Sequence, residues 1–174
     1  METGEKRSFW WAVGSLIFGL VFGSLLHFVW EWSGKMTWIA AFAPVSESPW
    51  EHLKLLTTPL FLATVLESFF RPGTGLPASR LAGTLIGMLT ILTGYYLYSD
   101  AFGLSHLIWL DIVLFAAAVF LAVLFGRKWE KPLEGWALAG WIGWAVLLVL
   151  MVFLTWYPPE IPLFRDSVTE LYGI

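Results

Sequence analysis

The sequence runs to 174 residues, 58% hydrophobic and only 13% charged, with a formal net charge of -3 and no cysteine. A soluble chain of this size cannot hide so much apolar surface, whereas a bilayer can. The balance excludes the basic stripe that a nucleic-acid partner needs, and the missing thiols exclude disulfides, thiolate metal sites and cysteine nucleophiles.

Five apolar stretches are each long enough to cross about 30 Å of hydrocarbon. They are Phe9–Trp32, Pro49–Phe70, Arg80–Tyr98, Gly103–Phe125 and Leu133–Tyr157. They predict an all-α integral membrane protein, one membrane domain over 1–174, built as a five-transmembrane-helix bundle with a tail over 158–174.

The first stretch follows Lys6 and Arg7 as a signal peptide would, but it is too long for an h-region and reads as an uncleaved first helix. Ala41-Phe42-Ala43 is cleavage-like, yet Pro44 follows it and the apolar core is far behind. The second stretch carries Lys54, Thr57, Thr58, Pro59 and Glu67 and is the least apolar. Pro59 removes one helical N–H and predicts a kink. Glu67 and Arg71, four residues apart, predict an ordinary ion pair. Gly19 with Gly23, and Gly83 with Gly87, sit one turn apart. Small residues at that spacing let helices pack closely, here within the chain rather than between copies.

Basic residues set the orientation. A cytoplasmic N-terminus leaves Lys6, Arg7, Arg71, Arg80, Arg127, Lys128 and Lys131 inside, and Lys35, Lys54 and Arg165 outside, a split of seven to three. Trp10, Trp11, Trp129 and Trp136 then mark the inner interface, and Trp30, Trp32, Trp50, Trp109 and Trp156 the outer one. All three histidines (His27, His52, His106) and eight of the thirteen acids fall toward the outer face. The chemistry gathers on one side.

There, His27 and Glu31 share one helical face. Ser48-Pro49-Trp50-Glu51 fits a capping box that opens the second helix, and Glu47 and His52 flank it. Asp111 lies about 7 Å deeper than His106 by helical rise. An ionisable group inside a span costs about 3 kcal/mol unless it is paired or hydrated. Asp111 should therefore face the bundle interior, with His106, a tyrosine or a lysine as partner, and Lys54 can neutralise one of the outer acids.

Imidazole and carboxylate together suit zinc or another first-row divalent ion. His27, Glu31, Glu47 and His52 are the candidate ligands, with Glu51 or Asp111 as general base for a metal-activated water. The substrate class that fits such a site is a membrane lipid or a lipid-linked molecule. Neither a His-Glu-x-x-His pair, a Gly-x-Ser-x-Gly elbow nor a phosphate loop is present in the sequence. Three other readings use the same residues: a cation or proton translocator, a non-enzymatic accessory subunit of a membrane complex, and a haem held by His27 and His106.

Three separated motifs carry a family resemblance. They are His27-Phe-Val-Trp-Glu-Trp-Ser-Gly34, Pro44-Val-Ser-Glu-Ser-Pro-Trp-Glu-His-Leu-Lys-Leu55, and a tail from Tyr157-Pro158-Pro159 through Ile161-Pro162-Leu163-Phe164-Arg165-Asp166 to Tyr172-Gly173-Ile174. With Asp111-Ile112, these resemble an uncharacterised family of small prokaryotic polytopic membrane proteins, a domain of unknown function. The resemblance implies the cytoplasmic membrane of a prokaryote and supports the motif positions, but implies no reaction. The chain departs from the family pattern at Ser46, where Asn is usual, at Glu160, where His is usual, and at Ser167 and Glu170, which replace a Pro and a Gly. So motif-like a tail predicts an ordered element, either a cap, with Pro158 and Pro159 ending the fifth helix and Ile161–Phe164 folding back over the outer cluster, or a segment that docks onto another subunit.

Overall fold

A backbone in hydrocarbon must close its own hydrogen bonds, so long apolar stretches become helices. A computed structural model of the chain describes residues 2–72, 74–101 and 107–174. It has five long helices: α1 Glu2–Trp32, α2 Pro49–Phe70, α3 Leu76–Tyr96, α4 Ile108–Lys128 and α5 Ala137–Trp156. All five are long and apolar enough to cross a membrane, and apolar side chains such as Phe69, Leu89 and Val149 face outward. The described residues form no strand, only an isolated bridge between Arg165 and Tyr172.

The boundaries differ from those read by hydropathy at four of the five helices. α1 begins at Glu2 rather than Phe9. α3 opens at Leu76, with Pro77 in its first turn, and Arg80 is inside the bundle rather than at its edge. It runs on into a π-helical turn over Leu97–Ala101. α4 spans Ile108–Lys128, its expected start at Gly103 lying outside the described residues, and α5 begins at Ala137 instead of Leu133. α2 matches its expected range because its start is signalled twice: Pro49 occupies the first position, and the Ser48 hydroxyl accepts from the Glu51 N–H at 3.3 Å.

α2 packs between α1 and α3, α3 packs most extensively on α4 and also against α5, and α1 touches α4. Leu53, Leu56, Leu60, Ala118, Val119, Trp144 and Met151 fill the core. At Gly83 a Cβ would stand 2.2 Å from the Ala122 carbonyl oxygen of α4, so the glycine spacing serves packing within the chain.

Two polar layers cross this core. At one end, Glu67 is fully buried and accepts from Arg71 at 2.6 Å and from Arg80 at 2.8 Å. Arg71 also bonds Glu130, which accepts from Ser8 at 3.5 Å. The expected Glu67–Arg71 pair is thus part of a network joining α1, α2, α3 and the segment after α4.

At the opposite end, the segment between α1 and α2 folds inward through a 3-10 turn, Thr37–Ala41, leaving Ala40 and Ala43 with no exposure. Irregular backbone is tolerated at that depth only if its polar groups find partners. They do: Lys54 donates to the Ala40 carbonyl at 2.7 Å, Thr58 to the Phe42 carbonyl at 2.7 Å, and the Val45 N–H donates to Glu51 at 3.0 Å. The polarity of α2 holds this segment in place.

Candidate metal centre

The histidine-bearing end of the bundle is assembled from three separate pieces of chain. His27 comes from the penultimate turn of α1, His52 from the first turn of α2, and Glu47 from the bend before the Ser48 cap. One Glu47 carboxylate oxygen is 3.3 Å from His52 Nε2 and the other is 3.8 Å from His27 Nε2. The two imidazole rings lie 5.5 Å apart, centroid to centroid. One ligand atom from each of the three residues falls within 4.8 Å of the others, so the group can hold a metal ion.

His52 Nδ1 lies 2.9 Å from the Ser48 carbonyl oxygen. A carbonyl only accepts, so that nitrogen carries a proton, while Nε2 donates to the Glu47 carboxylate and is the nitrogen a metal ion would take in that proton's place. His27 Nδ1 is buried and lacks a hydrogen-bond partner among the described residues. The hydrogen bond from His52 holds the Glu47 carboxyl below its ordinary value of 4.5, against an opposing effect of partial burial.

Glu47 and His52 open onto a cavity of about 130 Å³ between α2, α3 and α4. Asp111, Tyr95 and Ser167 add polar groups to it, while Leu55, Ile91, Leu114 and Phe115 supply apolar walls. Asp111 is bonded by the Tyr98 hydroxyl, so its partner is one of the tyrosines; His106 lies outside the described residues. A more open hollow of about 190 Å³ adjoins this cavity, sharing Tyr95 and Ser167, with Tyr96, Arg165 and Glu170 in its lining.

Two expected site residues are elsewhere. Glu31 points away and pairs with Lys35 at 3.2 Å, because the chain turns through positive φ at Gly34 and Lys35 and brings that lysine back over the last turn of α1. Glu51 is buried and does not line the cavity. Its carboxylate accepts from Lys54 at 2.7 Å, from Thr155 at 2.7 Å and from the Val45 N–H. With those partners it is a structural acid rather than a free base. Lys54, which also donates to Thr155 at 2.6 Å, is the basic residue that neutralises it.

The tail supplies contacts that spacing could not reveal. Asp166 accepts from the Glu47 N–H at 3.0 Å, and the Ser167 hydroxyl donates to the Glu47 carbonyl at 3.2 Å. Phe164 packs on Trp50 with ring centroids 5.0 Å apart. The motif-like character of this segment was the one signal of such contacts; a tyrosine was among the partners expected for Asp111, whereas nothing marked Thr155.

No curated protein and no solved structure matches the chain. A family model, described as a family of unknown function, matches residues 1–174. That match agrees with the resemblance carried by the three motifs: the chain belongs, over its whole length, to the family of unknown function DUF6512.

Proposed function

We propose that His27, Glu47 and His52 bind a divalent first-row metal ion such as zinc, and that the adjoining cavity presents a lipid or lipid-linked substrate to it for hydrolysis. The observation that carries the metal is the convergence of two imidazoles on one carboxylate, with His52 Nδ1 engaged by the Ser48 carbonyl so that Nε2 is the nitrogen turned to the site. Two His and one Glu leave a fourth position for water, the arrangement of catalytic rather than structural zinc sites. Asp111 lines the same cavity and is the candidate acceptor of a proton from that water, its carboxylate oriented by Tyr98.

The substrate class is supported by the shape of the site. Apolar walls sit beside the acid and imidazole groups, and the neighbouring hollow is lined largely by tyrosines and tail polar residues. An amphiphile would put its hydrocarbon in the first space and its head group in the second. The bias of basic residues toward the opposite end of the bundle favours a centre facing away from the cytoplasm. Translocation has less support, because the acids at both polar layers are engaged in salt bridges and Leu56, Leu60 and Phe61 lie between the layers.

Metal analysis of detergent-purified protein tests this function. Stoichiometric zinc, lost in His52→Ala, is the expected result. Protein that neither carries nor takes up a divalent metal overturns it.

A further inference from the structure

A metal site is only as good as the rigidity of its ligands, and Glu47 is the weak member of this one. His27 and His52 stand on long helices, but Glu47 precedes the Ser48 cap and belongs to none. An ordered backbone position outside secondary structure costs about 1–2 kcal/mol of conformational entropy, so something must hold it.

The C-terminal segment does so at both peptide groups of the residue. Asp166 Oδ2 accepts the Glu47 N–H at 3.0 Å, and the Ser167 hydroxyl reaches the Glu47 carbonyl at 3.2 Å. The other Asp166 oxygen is used within the tail, accepting from the Val168 N–H at 2.7 Å and the Thr169 N–H at 2.8 Å. One buried carboxylate therefore ties a turn of the tail to the backbone of a metal ligand. The turn is anchored in its own right by Phe164 against Trp50 and by the Asp166 N–H donating to the Leu171 carbonyl at 2.9 Å.

We infer that the C-terminal segment is a working part of the metal centre, with Asp166 the positioning residue that fixes Glu47 for ligation. This rests on the metal reading above. Asp166 touches no metal itself; it acts through the Glu47 backbone, as outer-shell partners act on ligating side chains.

Asp166→Asn separates positioning from folding. An asparagine keeps its carbonyl oxygen for the Val168 and Thr169 N–H groups, preserving the turn, but presents an amide donor to the Glu47 N–H where an acceptor is needed. The experiment is zinc competition against a chromophoric chelator, with the visible spectrum of the cobalt(II) form, on full-length protein in detergent. Asp166→Asn is expected to weaken zinc binding by about 10- to 100-fold and to alter the cobalt bands. Leu171→Ala, which removes an exposed side chain from the same segment, leaves both unchanged. Wild-type affinity and spectrum in Asp166→Asn overturn the positioning role while leaving the centre standing. A wild-type protein without metal overturns both. Should Asp166→Asn not fold, Phe164→Ala decides: without its packing on Trp50 the segment loses its anchor beside Glu47, zinc binding is expected to weaken by about 10-fold, and unchanged affinity overturns the inference.

Discussion

Gly23 of α1 lies against the carbonyl group of Leu55 in α2, so close that a Cβ would stand 2.4 Å from its oxygen. That carbonyl is the one Pro59 leaves without a helical partner, since proline at i+4 has no N–H. The proline does not interrupt α2, which runs unbroken from Pro49 to Phe70. Its freed carbonyl instead meets the bare Cα of a neighbouring helix, where a weak C–H···O contact is available. Gly23→Ala should therefore destabilise the bundle by about 1–3 kcal/mol, the usual cost of overpacking. Gly14→Ala, with open space around it, should not. Denaturant unfolding in detergent measures both, and equal midpoints would refute the close approach.

Lys54 and Glu51 are buried together and share Thr155. Removing one partner strands the other charge, so Lys54→Met is expected to cost about 3–5 kcal/mol. The double variant Glu51→Gln with Lys54→Met should recover part of that loss. A double variant no better than Lys54→Met would show that the ammonium acts mainly by holding the Ala40 carbonyl.

At the other end, Glu67→Leu leaves Arg80, which is only 5% exposed, without its carboxylate. The expected loss is again about 3–5 kcal/mol. Arg71→Leu should cost less, because Arg71 is more exposed and Glu67 keeps Arg80 as partner. Thermal unfolding ranks the two, and the reverse order would contradict the network.

The sequence nominates Glu31 as a metal ligand beside His27, but the geometry pairs it with Lys35. Glu31→Ala is expected to bind zinc as the wild type does, whereas His27→Ala should lose affinity by more than about 10-fold. Chelator competition distinguishes them. Comparable losses in both would return Glu31 to the ligand set.

Glu47 and Asp166 each carry a pH prediction. His52 lowers the Glu47 carboxyl; for Asp166, burial raises the value but the backbone hydrogen bonds from Thr169, Glu47 and Val168 more than reverse it. A carboxylate with a depressed folded-state value stabilises the fold above its ordinary value and loses that contribution as pH falls through the folded one. Order at the tail should therefore fall as pH drops below 3.8, the ordinary value of Asp166, whereas the Glu47 contribution, lost below 4.5, belongs to its contact with His52. Trp50 packs on Phe164 of the tail, so its fluorescence should follow the first loss, and Asp166→Asn should flatten the profile. A Trp50 signal indifferent to acid would remove the Asp166 carboxylate from the tail's stability.

Apolar length alone was enough to establish the five helices, because hydrocarbon leaves a backbone no alternative to bonding itself. Ser48 and Pro49 likewise announced the start of α2, since caps act within one turn of chain. His27, Glu47 and His52 were legible as candidates for the same reason that polar groups are rare in apolar sequence. Which acids join them was not legible. Glu31 and Glu51 are as near in sequence as Glu47, but a positive-φ turn sends one to Lys35, and a lysine and a threonine claim the other. Helical spacing reports only neighbours on one helix. The partners of Glu51, Asp111 and Glu47 sit in Thr155, Tyr98 and Asp166, contacts that exist only once α5, the end of α3 and the tail have packed against the first two helices.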